Sequence, residues 1–154
     1  MIINEKTIKT QNMQRNLKTL RELAGLSASE LADELNVTKQ TIHRLEAKEK
    51  PQKTDMTYCQ YRTIRFVFDE IIQHKLENGL NDTDLQGAIT LLIDNADKFN
   101  EDEYIETQSA VKVVSESKKA GVTGAFLVKI IPGIVSAVVG AVVLSLLSED
   151  ELKK

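Results

Sequence analysis

The sequence is short of the residues on which most catalytic and redox chemistry depends. There is one cysteine, Cys59, so no disulfide can form within the chain, and two histidines, His43 and His74, stand far apart without metal-ligand neighbours. Each histidine reads as solvated or packed. Cys59 has no well-placed basic activator and reads as a buried thiol rather than a nucleophile. Tryptophan is absent, proline occurs twice and glycine seven times, which leaves few breakers and no glycine-rich phosphate loop after a strand. The acids Glu101, Asp102 and Glu103 read as the first turn of a helix, where negative charge suits the dipole. No cofactor motif, metal set or catalytic constellation is present in this pattern. We read the chain as a non-enzyme with no identifiable small-molecule ligand. The start MIINEKTIKT is polar where an apolar signal segment would begin, so no signal peptide is expected from it.

What the sequence has is helical periodicity. Hydrophobic residues make up 42% and charged residues 28% of 154, which fits a folded chain. Apolar positions recur at helical spacing nearly throughout, so the expected fold class is all-α. The net charge of −3 hides a division. Residues 1–53 are net basic, 54–120 net acidic, and 121–154 balanced. A basic head suits a polyanionic partner, whereas an acidic middle does not.

The spacing predicts a first helix over about 12–24, stopped by Gly25. Ser27 and Glu30 form a capping-box pattern before a short helix over 28–35, with Leu31, Ala32 and Leu35 inward. Asn36 tolerates the left-handed turn, Val37 plugs it, and Thr38 caps a third helix to about Ala47 with Ile42 and Leu45 inward. The Lys-rich stretch around Pro51 reads as a linker. Thr54 or Asp55 then caps a longer helix to about Asn78, with Tyr58, Tyr61, Ile64, Phe68, Ile71 and Ile72 as its apolar stripe. Thr83 and Gln86 suggest another capping box before a helix over 84–96, and a more polar helix follows over 102–119.

Two helices meeting across a turn of three or four residues need a small residue at the crossing, a turn-tolerant residue, an apolar plug and a capped second helix. Ala32, Asn36, Val37 and Thr38 supply these in order. The run NLKTLRELAGLSASELADELNVTKQTIHRLEAKEKP, Asn16–Pro51, resembles the Cro/C1-type (XRE) helix-turn-helix family over about a quarter of the chain. That resemblance implies a transcriptional regulator binding double-stranded DNA, with the third helix reading base edges. Lys39, Gln40 and Thr41 are the implied readers, with His43 and Arg44 further along the exposed face. Gln pairs bidentately with adenine and Arg or Lys with guanine. Lys48, Lys50 and Lys53 are the implied phosphate contacts, which position without specifying, while Thr38 and Thr41 can donate to phosphate or touch a thymine methyl. Arg21 and Glu46 match a family pair that ties the first helix to the end of the third and is read as structural. Ala28 departs from the family, which usually has Gln there. One phosphate contact is thereby left in doubt, and Ser27 and Ser29 can replace part of it.

The run Ile130–Leu147 has no charge, and extending it to Ala125 adds Lys129 alone. At a rise of about 1.5 Å per residue these spans cover about 27 and 34 Å, near the roughly 30 Å hydrocarbon core of a bilayer. Lys118, Lys119 and Lys129 lie on the side that the positive-inside rule assigns to the cytoplasm. Against a membrane helix stand Pro132, two glycines and two serines, and a buried oligomerisation helix remains an alternative. Gly133, Ala137, Ala141 and Ser145 form a small-residue ridge suited to close helix pairing in either medium.

The expected organisation is a DNA-binding domain over 1–53 with its core at 16–47, then a helical accessory or dimerising region over 54–120. A transmembrane helix over 125–147 and a polar tail over 148–154 follow. The leading expectation is a dimeric DNA-binding regulator tethered through membrane lipid to the cytoplasmic face. The alternatives are a soluble regulator with a buried C-terminal helix, and a membrane-bound adaptor using the helix-turn-helix as a scaffold.

Overall fold

The computed structural model describes residues 4–47, 56–80 and 84–119, and among them all regular structure is helical. The α-helices are α1 (Glu5–Arg15), α2 (Leu17–Leu23), α3 (Ala28–Leu35), α4 (Lys39–Glu46), α5 (Tyr58–Glu77), α6 (Asp84–Ile89) and α7 (Glu101–Lys119). The chain divides into two compact units between Leu80 and Asn81.

Where one helix was expected over 12–24 there are two, and α1 begins well before it. Asn4 caps α1 by accepting from the amide of Thr7 at 2.8 Å, and Glu5 stands in the first turn where it suits the helix dipole. Of its eleven residues only Ile8 and Met13 are large and apolar, so α1 carries no hydrophobic stripe for periodicity to detect. Asn16 ends it. Its side chain donates to the carbonyl of Asn12 at 2.8 Å, a local bond that competes with continuation of the helix. The carbonyl of Asn16 then accepts from Leu20 and opens α2.

Leu17, Leu20, Leu23, Leu31, Ile42 and Leu45 are fully buried in the first unit. Each such side chain stabilises by about 1.5–3 kcal/mol through removal from water. α5 packs on α1 and α3 through Tyr61, Ile64, Val67 and Phe68, so this helix, grouped with the acidic middle by composition, lies within the first compact unit. Its cap is Thr57, with Gln60 completing a capping box, rather than Thr54 or Asp55. Ile71 and Ile72 are only half-buried. Cys59 is exposed, which corrects its reading as a buried thiol. The reason is phase: Cys59 shares a face with the exposed Arg62, Thr63, Phe66 and Glu70, opposite the side that meets α1 and α3.

In the second unit α6 does not continue as a regular helix to residue 96. Thr90–Asp94 widens into a π-helix, and a short 3-10 turn follows over Ala96–Lys98. Asn95 donates to the carbonyl of Thr90 from both its amide and its side chain, each at 2.9 Å, and so holds the wide turn closed. Tyr104 of α7 donates to the Leu92 carbonyl at 2.8 Å and ties α7 to this segment. Asn100 and Glu103 cap α7 reciprocally. The expected Thr83 cap lies outside the described residues.

No helix among the described residues is long and apolar enough to cross a membrane. The apolar run Ile130–Leu147, with Gly133, Ala137, Ala141 and Ser145, lies outside them.

A polar residue stitches the first unit together. Gln14 is buried, accepts from the amide of Met56 at 3.1 Å, and donates to the carbonyl of Leu45 at 3.4 Å. Gln14→Ala strands a buried donor and acceptor. We expect a loss of about 1–3 kcal/mol in urea unfolding followed by circular dichroism. An unchanged midpoint would show these bonds to be replaceable.

Candidate nucleic-acid interface

The interface begins with the turn that sets α4 against α3. At Asn36 the backbone enters the left-handed region (φ 54°, ψ 46°), and among the described residues it is the one non-glycine with positive φ. Asparagine tolerates that conformation better than other side chains. The amide of Val37 donates back to the Ala32 carbonyl at 3.0 Å, closing the end of α3 while the Val37 side chain is half-buried. Ala32 is nearly fully buried where α3 packs on α4, and its small size allows the close approach.

Both helices are capped at their N-termini. The amide of Glu30 donates to Ser27 Oγ and the amide of Ser27 donates to Glu30 Oε1, both at 3.0 Å. The backbone bond from Ser27, reinforced by its side chain, holds the Glu30 carboxyl below its ordinary pKa. Thr38 caps α4 by accepting from the Thr41 amide at 3.2 Å, and the two hydroxyls lie 3.0 Å apart. Ala28 is buried, while Ser27 and Ser29 on either side are exposed.

α4 is divided cleanly. Ile42 and Leu45 are fully buried, and Thr41 is half-buried. Thr38, Lys39, Gln40, His43 and Arg44 are exposed on the opposite side. That side presents an ammonium, a carboxamide, an imidazole and a guanidinium, the donors and acceptors that base edges and phosphates require. Lys48 and Lys50 lie outside the described residues.

The end of α4 is held from behind. Arg21 Nε donates to Glu46 Oε1 and Nη2 to Oε2 at 3.3 Å, while Nη1 donates to the Leu26 carbonyl at 2.9 Å. One guanidinium thus binds α2, the turn before α3 and the last residue of α4. The side chains of Arg21 and Glu46 are 11% and 6% exposed, so this pair is shielded from solvent rather than a surface bridge. His43 Nδ1 approaches Glu46 Oε2 at 4.0 Å, which places the imidazole at the border between the exposed face and this pair.

Residues 17–56 match the family model described as helix-turn-helix. The segment is a helix-turn-helix of the Cro/C1 type. No curated protein and no solved structure matches the chain. A helix-turn-helix of this type is a double-stranded DNA-binding module, and its second helix, α4 here, is the element that such modules lay in the major groove. Two supports of the helix-turn-helix escaped the sequence reading: α1, whose Asn4–Glu5 capping signal was the available clue, and Gln14, whose burial no local pattern signals.

Removing one partner of the shielded pair leaves the other charge without compensation. Glu46→Ala is expected to cost roughly 3–5 kcal/mol of stability, and Arg21→Met with Glu46→Leu to recover part of that loss. Chemical denaturation of the single and double variants measures both. Equal loss in the two would mean that packing, not the unpaired charge, sets the penalty.

Proposed function

We propose that this chain is a sequence-specific transcriptional regulator that places α4 in the major groove of double-stranded DNA. Lys39, Gln40, Thr41 and Arg44 contact base edges, His43 lies further along the same face, and Ser27, Thr38, Lys48 and Lys50 contact phosphates. The observation that carries this reading is the two-sided character of α4. Its core side is apolar and fully buried. Its other side carries Lys39 and Gln40 in the first turn and His43 and Arg44 in the last, on a helix whose end is anchored by Arg21 and Glu46. Any solvated helix has a polar outer face; what favours DNA here is that this one carries cations and a carboxamide and no carboxylate, Glu46 being turned to Arg21.

A single module reads one half-site, so the regulator acts as a dimer on a two-fold operator. The basic balance of residues 1–53 adds sequence-independent attraction to the phosphate backbone. The uncharged run Ile130–Leu147 supports a membrane anchor, which would hold the head at the cytoplasmic face and restrict where its DNA is met.

Selection of bound fragments from a random DNA pool by the full chain, at several salt concentrations, tests the regulator reading. Affinity should fall steeply with salt, and Gln40→Ala with Arg44→Ala should lose sequence preference, each contact being worth about 1–3 kcal/mol at its base pair. Equal affinity for all sequences, or none of the salt dependence, would remove the proposal. For the anchor, fractionation of lysed cells is expected to leave the chain in the membrane pellet until detergent is added. Recovery in the supernatant without detergent excludes it.

A further inference from the structure

The face of α5 turned away from α1 and α3 carries a charge pattern with its own symmetry. Tyr61, Ile64, Val67 and Phe68 are buried in the unit, which leaves Cys59, Arg62, Thr63, Phe66, Asp69 and Glu70 exposed. Phe66 is 61% exposed. One exposed apolar side chain is ordinary. What sets Phe66 apart is its surroundings: Arg62 and Arg65 lie just before it, and Asp69 and Glu70 just after. Arg65 reaches along the helix to Asp69 at 3.3 Å, which leaves the Phe66 ring between a basic and an acidic flank.

Such an arrangement is complementary to itself in one orientation only. If two copies of α5 lie antiparallel about a two-fold axis at Phe66, each position before Phe66 faces the position equally far after it on the other copy. Arg62 then meets Glu70, Thr63 meets Asp69, and the two Phe66 rings meet at the axis. A parallel pairing would oppose arginine to arginine and acid to acid, which is repulsive. The pattern therefore selects a second copy of this chain, docked by an isologous contact.

We propose that the Phe66 face of α5 is the surface through which two copies of this chain associate, antiparallel and in register at Phe66. The proposal rests on the regulator reading, since two half-site readers must be held together. The helix is about 30 Å long at 1.5 Å per residue, so one face of it makes a contact toward the small end of specific interfaces, about 1,200 Å² or less. The association is correspondingly weak for the free protein and is reinforced when both copies occupy one DNA site.

Oxidative cross-linking of the purified full chain in a mild non-ionic detergent tests this directly. A Cys59→Ser, Phe66→Cys variant places its only thiol at the axis. It should form a covalent dimer at least about tenfold faster than a Cys59→Ser, Glu34→Cys control, because the contact raises the effective thiol concentration. Phe66 is exposed, so Phe66→Glu should keep its helix content while sedimenting with less dimer. Arg62→Glu should weaken the dimer, and Arg62→Glu with Glu70→Arg should restore it. Equal cross-linking rates, an unchanged dimer with Phe66→Glu, or a double reversal as weak as the single would each overturn the proposal. Cross-linking at Phe66 without salt-dependent DNA binding upholds this interface and removes the regulator reading. DNA binding without cross-linking does the reverse.

Discussion

The carboxylate of Glu46 lies at the last turn of α4 with both oxygens engaged by the Arg21 guanidinium, whose remaining arm holds the Leu26 carbonyl. The placement of the candidate reading face depends on this node. α4 has only eight residues, too few to be stable in isolation, so its direction must be imposed by its neighbours. At its front the Asn36 turn and the Thr38 cap fix how it leaves α3. At its rear the Arg21–Glu46 pair and the Gln14 bond to the Leu45 carbonyl fix where it ends. Between them Ile42 and Leu45 supply the apolar attachment. A short helix held at both ends and along one side has its direction set by those contacts.

This arrangement gives rigidity a functional meaning. Bidentate recognition of a base edge tolerates little error in the position of a carboxamide or guanidinium, so side chains that read must project from a backbone that does not move. Here the supporting groups are kept off the exposed face altogether. Arg21 and Glu46 are spent on each other, and Gln14 is spent on two backbone groups. Lys39, Gln40, His43 and Arg44 are left on the solvent side.

Where the sequence was legible, the reason was local chemistry. α3 was expected over residues 28–35 and is found there, because Ser27, Glu30 and Asn36 mark its two ends by side-chain bonds to nearby backbone. The widened turn at Thr90 and the break at Asn16 were not legible. In both, an asparagine side chain bonds the backbone in a way that the apolar pattern does not encode. α1 was missed because its stabilisation comes from packing against α4 and α5 rather than from an amphipathic stripe. Cys59 was misread because a thiol is commonly buried, while the phase of α5 is set by the larger Tyr61, Ile64 and Phe68.

By itself the sequence determined the helix-turn-helix: the order Ala32, Asn36, Val37, Thr38 specifies a crossing, a left-handed turn, a plug and a cap through contacts no more than a few residues long. The candidate reading face followed from the same local order, since Ile42 and Leu45 dictate which side of α4 must be buried. The Arg21–Glu46 tie was legible only through the family resemblance, since no local pattern spans it. Tertiary structure alone decided the other supports of that helix: Gln14 reaches Leu45 and Met56, and α5 joins the first unit. It also decided that Phe66 faces outward between its arginines and its acids. Such contacts are long-range, and their cost in chain entropy is met only when the whole core forms together.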